Sequence, residues 1–491
     1  MQLLVRVTLI AQREGGRAMS RLGSAVGNEL GKLCSGVVIL AIATGLGFPP
    51  AWSQTNTDKS GSCRVEAVDY KGWKAQQVSN RWVQLVVVPQ NGGRVMQVTF
   101  GGHAYLFVNP KLAGKYFPPS ANEWFNYGGD KIWLLPEGTE DEQHWRGNSD
   151  VLDDGPFTFR KVSEGEHCEI ELAGPADTQT GIQFIRTIRL EPDSPRIAFH
   201  VVMKNITGHR LEWSMQSVSQ YDTSGAGGQG SGQINPDFWT FTPANRDSSY
   251  LNRYHVRFGQ AQNPAVSVRD DDLFAVHYAH MAAELWLDST EGWLAVVDGT
   301  SKYAMVERFE YDKSKPYPGK ASVIFWTNGP GLRFSSDGVA SVNDASEDAS
   351  PVYMEAEINS PMCRLRPGEA CQLETDWFPA RADSEFHGVT DAGLVTKSLR
   401  AVSLENGKVR LAGSFGVFFP GRLVAHFYNE HGSSIGILPL TKVSPNDLVV
   451  LDIETAPQGK PMRVSLHLED QAGLDRGALE EVPIGMGKLA E

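Results

Sequence analysis

A chain of 491 residues is too long for one ordinary core, and its 41% hydrophobic and 21% charged content is that of a folded globular protein. A formal net charge of −13, without a basic stripe or tail, excludes a nucleic-acid backbone as the partner. With Gly 50, Pro 27 and Trp 12, the composition suits a turn-rich β protein well supplied with flat aromatic faces.

The first element is an expected export signal over residues 1–53. Arg21 and Lys32 precede an apolar run from Val37 to Phe48, and Ala51 and Ser53 occupy the small-residue positions read by a signal peptidase. Residues 1–18 sit oddly before such a signal, so Met19 is the expected start. The run is too short to span a bilayer, which implies no stable membrane anchor and a periplasmic or secreted protein. Cys34 leaves with the signal, and Cys63, Cys168, Cys363 and Cys371 remain. Cys363 and Cys371 bracket a turn sequence and either form a bridge across a hairpin or stay as buried thiols. With no Cys-x-x-Cys, neither a zinc knuckle nor a thioredoxin-type centre is expected.

Beyond residue 64 the pattern is β. A strand from Trp82 to Pro89, a turn at Asn91-Gly-Gly93, a return from Arg94 to Phe100 and a third run from His103 to Phe107 form a meander. Strands follow over 157–162, 168–172, 181–190 and 196–204. In the last of these Ile197, Phe199, Val201 and Met203 point one way and Arg196, His200 and Lys204 the other. Further runs at 211–218, 285–297, 321–326, 352–358 and 371–378 bring the total to about fifteen strands, without long helical periodicity. The expected architecture is all-β, two large packed antiparallel sheets over residues 64–380. The glycine-rich 224–233 lacks the strand and helix of a phosphate cradle and reads as a loop. Residues 235–272 read as a long irregular loop of the kind that carries function. After a polar break near 380–395, short strands over 393–485 predict a small accessory β-sandwich without a catalytic grouping.

Chemistry concentrates in Asn126-Tyr-Gly-Gly-Asp-Lys-Ile-Trp-Leu-Leu-Pro-Glu137. Two glycines, the pair Asp130 and Lys131, and the aromatic flanks Tyr127 and Trp133 combine stacking faces with charged hydrogen-bonding groups, as a sugar requires. The alternative is a structural turn with an exposed ion pair. Two acidic groups, Asp150/Asp153/Asp154 and Asp270-Asp-Asp272, have calcium-type oxygen donors but match no EF-hand and read as solvated turns, so no metal or cofactor is expected. The sequence has no His-Glu-x-x-His.

These segments resemble the bacterial family called domain of unknown function 4380, within the galactose-mutarotase-like superfamily. The resemblance covers residues 70–380. It rests on Pro89-Gln-Asn-Gly-Gly-Arg-Val95, on 126–137, on Asp150-Val-Leu-Asp-Asp-Gly-Pro156, and on a closing block of Tyr353-Met-Glu-Ala-Glu357, Ser360-Pro361 and Leu365-Arg-Pro-Gly-Glu369. It implies a galactose-mutarotase-like supersandwich and no assigned activity. Mutarotases pair a carboxylate base with a histidine acid. Glu355 is similar in position to that base, whereas Gln216 or a neighbour falls where the histidine would stand, and an amide is not a general acid. His144 is the substitute candidate, against the reading of a lone surface histidine.

The resulting expectation is an exported carbohydrate-binding protein taking a sugar or uronate in a cleft on one sheet face. Arg94, Trp124, Asn126, Asp130, Lys131, Trp133, Glu137 and Trp145 are the expected binding residues, Glu355 and His144 the catalytic ones. The alternatives are an epimerase, glycoside hydrolase or lyase using Glu355 as base, with Glu137, Asp130 and Glu357 as further carboxylates, or a cell-envelope scaffold.

Overall fold

The computed structural model describes residues 62–119, 125–138, 144–145, 151–229, 232–329, 332–334, 340–342 and 351–486. The expected export signal and Trp124 lie outside the described residues. Among these residues the fold is all-β, with one 3-10 turn at Pro318–Lys320.

Two large antiparallel sheets face each other. The twelve-stranded sheet places Arg94–Phe100, Asp130–Leu135, Leu211–Asp222, Tyr353–Asn359, Val323–Thr327, Ala283–Leu287 and His255–Phe258 side by side in that spatial order. In the ten-stranded sheet Tyr303–Phe309, Ala370–Arg381, Ile197–Asn205 and Ile182–Leu190 are neighbours. The strict alternation in Ile197–Asn205 buries Ile197, Phe199, Val201 and Met203, which meet Phe100, Leu134 and Phe325 from the other sheet in one core.

That core also holds charge. Arg186 forms an ion pair with Asp130 across the sheets, and Tyr221 donates to Glu307 at 2.6 Å. Burial first, then the charge of Asp130, pushes the Glu307 carboxyl up to about 8. A carboxyl raised above its unfolded value of about 4.3 binds a proton in the native state that the unfolded chain has released. Its contribution is therefore full below pH 4 and is lost as pH rises through 8. Stability should fall between pH 5 and 8, by at most about 1.4 kcal/mol per pH unit for this group, and Glu307→Gln should flatten the slope. Urea denaturation across that range checks it.

Two runs differ from the sequence expectation. Residues 285–297 form two strands, Ala283–Leu287 and Trp293–Asp298, in different sheets. The break falls at Asp288, whose carboxylate accepts from Ser248 Oγ and the Ser249 amide as the chain crosses between sheets. Residues 235–272, expected as loop, contain Phe238–Pro243, His255–Phe258 and Val266–Val268, too short and too interrupted by polar residues to stand out.

Cys363 and Cys371 are bridged, and Cys63 is bridged to Cys168, 105 residues away, tying the start of one sheet to the other. Such bridges persist in oxidising compartments. Removing the longer one (Cys63→Ser with Cys168→Ser) should cost about 2–5 kcal/mol, read by denaturant unfolding. No helix among the described residues is long and apolar enough to cross a membrane.

A third, eight-stranded sheet spans residues 388–486 and closes around its own core, including Leu411, Phe415, Phe427, Val464 and Leu466. All its pairings are antiparallel except Gly393–Ser403 with Asp475–Met486.

Candidate functional site

Strand register decides which side chains share a face. Val218 pairs with both Lys131 and Glu357, Gln216 with Trp133, and Gln220 with Glu355. Glu355 pairs in turn with Trp326, and Trp326 with Glu284. Directly paired residues point the same way. Lys131, Trp133, Gln216, Gln220, Glu355, Glu357, Trp326 and Glu284 therefore lie together on the outer face of the twelve-stranded sheet, away from the core. Asp130 is one residue out of phase, so it points into the core.

The middle of this face is deep. Glu355 and Glu357 are each 6% exposed, and exposure rises through half-buried Trp326, Glu284 and Trp286 to exposed His255 at the sheet edge. Gln220 Nε2 donates to Glu355 at 2.5 Å and Gln216 Nε2 donates to Glu357. Both acidic groups are thus held by amides from the neighbouring strand. Burial, followed by the charges of Glu355, Glu284 and Glu137, raises the Glu357 carboxyl well above the ordinary range, and a hydrogen bond with Glu355 adds to the rise. Burial likewise raises Glu284, against the hydrogen bond that Trp286 Nε1 donates to it at 2.6 Å.

Of the expected residues, Lys131, Trp133, Glu137 and Glu355 converge here. Lys131 is buried, its ammonium 3.9 Å from the Trp133 ring centroid, and burial lowers its pKa against the pull of Asp153 and Glu355. Glu137 keeps solvent contact yet is enclosed by protein at longer range. That enclosure, followed by the charges of Glu284 and Glu355, pushes its carboxyl up to about 8. The Glu137 side chain touches water and is incompletely desolvated, so the like charges of Glu284 and Glu355 carry much of the rise. Asn126 is half-buried and sits in hydrogen-bonding reach of Tyr353, which shares the outer face with Glu355 and also contacts Trp326.

The other expected residues serve the frame. Asp130 is fully buried against Arg186 and Ser219. Arg94 is fully buried between Asp153 at 2.7 Å and Asp154 at 3.1 Å, which corrects the reading of that acidic turn as solvated. Burial, then the neighbouring Asp153 charge, moves Asp154 up to about 7. Asp153 also accepts from Trp133 Nε1 at 2.8 Å, so the Arg94 cluster fixes the indole. Trp145 is sealed, edge-on to Trp133 with centroids 5.4 Å apart, and has no surface for a ligand. The double glycine serves the backbone itself. Gly128 (φ 90°) and Gly129 (φ 76°) have positive φ, and a Cβ on Gly128 would lie 2.2 Å from the Phe107 carbonyl oxygen.

His144 lines a separate hollow of about 780 Å³ with Pro136, Arg210, Glu212, Arg364 and Arg366. Trp326, Trp286, Glu284 and Gln220 escaped the sequence reading. Trp326 and Glu355 are 29 residues apart in sequence and become neighbours only through strand order.

No family model matches the chain, and no curated protein matches it. Solved structures similar in shape include a galactose mutarotase-like protein from Lactobacillus casei (10% identity, TM-score 0.41, covering 62% of this chain and 99% of that one). Another is a galactose mutarotase-like protein from Clostridium acetobutylicum (10%, TM-score 0.40, 65% and 99%). A TPR-domain containing protein from Parabacteroides distasonis (14%, TM-score 0.41) matches 62% of this chain, which spans about half of that protein, 47%. Likeness at these scores carries no functional inference, so the reading of the site rests on its own residues.

Proposed function

We propose that the protein recognises a carbohydrate on the outer face of its twelve-stranded sheet. The observation that carries this reading is the lateral row Glu355, Trp326, Glu284 on three adjacent strands, with Gln220 beside Glu355. An indole between two carboxylates matches a pyranose, whose C–H face stacks while its rim of hydroxyls donates charge-assisted hydrogen bonds. Trp326 is the stacking surface in this reading. One face of Trp133 already carries Lys131. The gathering of Glu137, Glu284, Glu355 and Glu357 disfavours a uronate and selects a neutral sugar. The two disulfides and the expected signal support a location in the periplasm or outside the cell. The motif resemblance to domain of unknown function 4380 belongs to the same reading.

A glycan array probed with tag-free protein tests it. Binding to a neutral glycan is expected, and an array without a hit removes the proposal.

One observation favours a second reading, a glycoside hydrolase. Glu355 and Glu284 stand two strands apart, roughly 9–10 Å between backbones. That backbone spacing meets the upper end of the ~6.5–9.5 Å carboxyl separation of inverting hydrolysis. Glu355 and Glu357, within hydrogen-bonding reach, are too close to flank a scissile bond by the ~5 Å minimum. Incubating the bound glycan with wild type and Glu355→Gln separates the readings. The binder leaves it intact in both cases, whereas the hydrolase cleaves it only with Glu355 present.

A further inference from the structure

The third sheet carries a side-chain group that the sugar-binding reading does not use. His426 in Gly421–Tyr428 pairs directly with Ser465 in Arg463–Asp470, and His467 lies two residues further on the same face. The two imidazoles are parallel, with centroids 4.1 Å apart and planes 6° apart. Asp475, at the start of the adjoining strand, is 3.0 Å from His467 Nδ1 through Oδ2, while its Oδ1 accepts from the Gly477 amide at 2.8 Å. One ring nitrogen of each histidine and one carboxylate oxygen lie within 4.8 Å of one another. Both rings are half-buried and the carboxylate is exposed, so the group opens to solvent.

We infer that His426, His467 and Asp475 form a binding site for a divalent first-row transition metal. Two imidazoles and a carboxylate are borderline donors of the kind that Zn²⁺, Ni²⁺ or Cu²⁺ takes, and oxygen-seeking Ca²⁺ or Mg²⁺ does not. A tetrahedral ion with bonds of ~2.0–2.1 Å needs donors about 3.3 Å apart, a closure that side-chain rotation supplies. Ser465 Oγ is 3.0 Å from His467 Nε2 and completes the arrangement. On metal binding the ion takes the place of the Nδ1 proton between His467 and Asp475, the neutral ring carries its single proton on Nε2 instead, and Nε2–H donates to Ser465 Oγ, as the outer nitrogen of a ligating histidine commonly does to a neighbour. The three ligands come from three strands adjacent in the sheet, so the ion staples those strands together.

Calorimetric titration of Zn²⁺ into the metal-stripped, tag-free chain tests the site, with Ca²⁺ and Mg²⁺ as comparisons. The expected result is one saturable Zn²⁺ equivalent, no Ca²⁺ or Mg²⁺ binding, and a melting temperature raised by Zn²⁺. His426→Ala, His467→Ala and Asp475→Asn should each weaken binding by about 10–100-fold or more. Asp475 is exposed, so Asp475→Asn should melt normally without metal and keep the test valid if a histidine variant misfolds. Absence of saturable Zn²⁺ binding overturns the inference. So does an equivalent that persists unchanged in His426→Ala or Asp475→Asn.

Discussion

Replacing Asp130 by Asn should cost about 3–5 kcal/mol of folding stability and leave the sugar affinity of the folded fraction unchanged. The Asp130 and Arg186 side chains are 0% and 4% exposed, so removing the carboxylate leaves a guanidinium without its counter-charge between the sheets. Burial raises the Asp130 pKa against the opposing pull of Arg186. Arg186 also lies over the Phe199 ring at 4.6 Å and cannot swing out without disturbing the packing there. The companion variant, Asp130→Asn with Arg186→Met, removes both charges and should recover much of the loss. Chemical denaturation of the three proteins decides the matter. A cost below about 1 kcal/mol for Asp130→Asn would mean that the pair is solvated.

Replacing Trp326 by Ala should lower glycan affinity by about 10–100-fold, the range expected when a central aromatic contact is lost. Trp326 is half-buried and stacks its other neighbour, Phe258, at 5.6 Å between centroids, so the chain should still fold. Trp145→Ala provides the opposite outcome. That indole is wholly buried, and its loss should cost about 3–5 kcal/mol of stability with no specific effect on affinity. Titration of both variants with an array-selected glycan separates an indole that meets ligand from one that fills core. Equal affinity of Trp326→Ala and wild type would move the site off this face.

The strands with clean period-two patterns, such as Ile197–Asn205 and Cys168–Ala173, were legible in the sequence because each buries one side against a single core. The sandwich followed from them. The segment 126–137 also stood out, but its composition does not say which alternate residues look outward. Asp130 and Lys131 are adjacent, yet one belongs to the core and the other to the outer face, a phase fixed only by pairing with Leu211–Asp222. Arg94 looked like a ligand because buried arginine is rare, and its partners Asp153 and Asp154 lie some 60 positions away. Trp326 and Glu284 carried no local signal, since strand order alone brings them beside Glu355.

The most direct test is a crystal structure of the protein soaked with its array-selected glycan. The sugar ring should lie on Trp326 with hydroxyls on Glu355 and Glu284. A sugar seated instead in the hollow of His144, Arg364 and Arg366, with the Glu355 face vacant, would contradict the account.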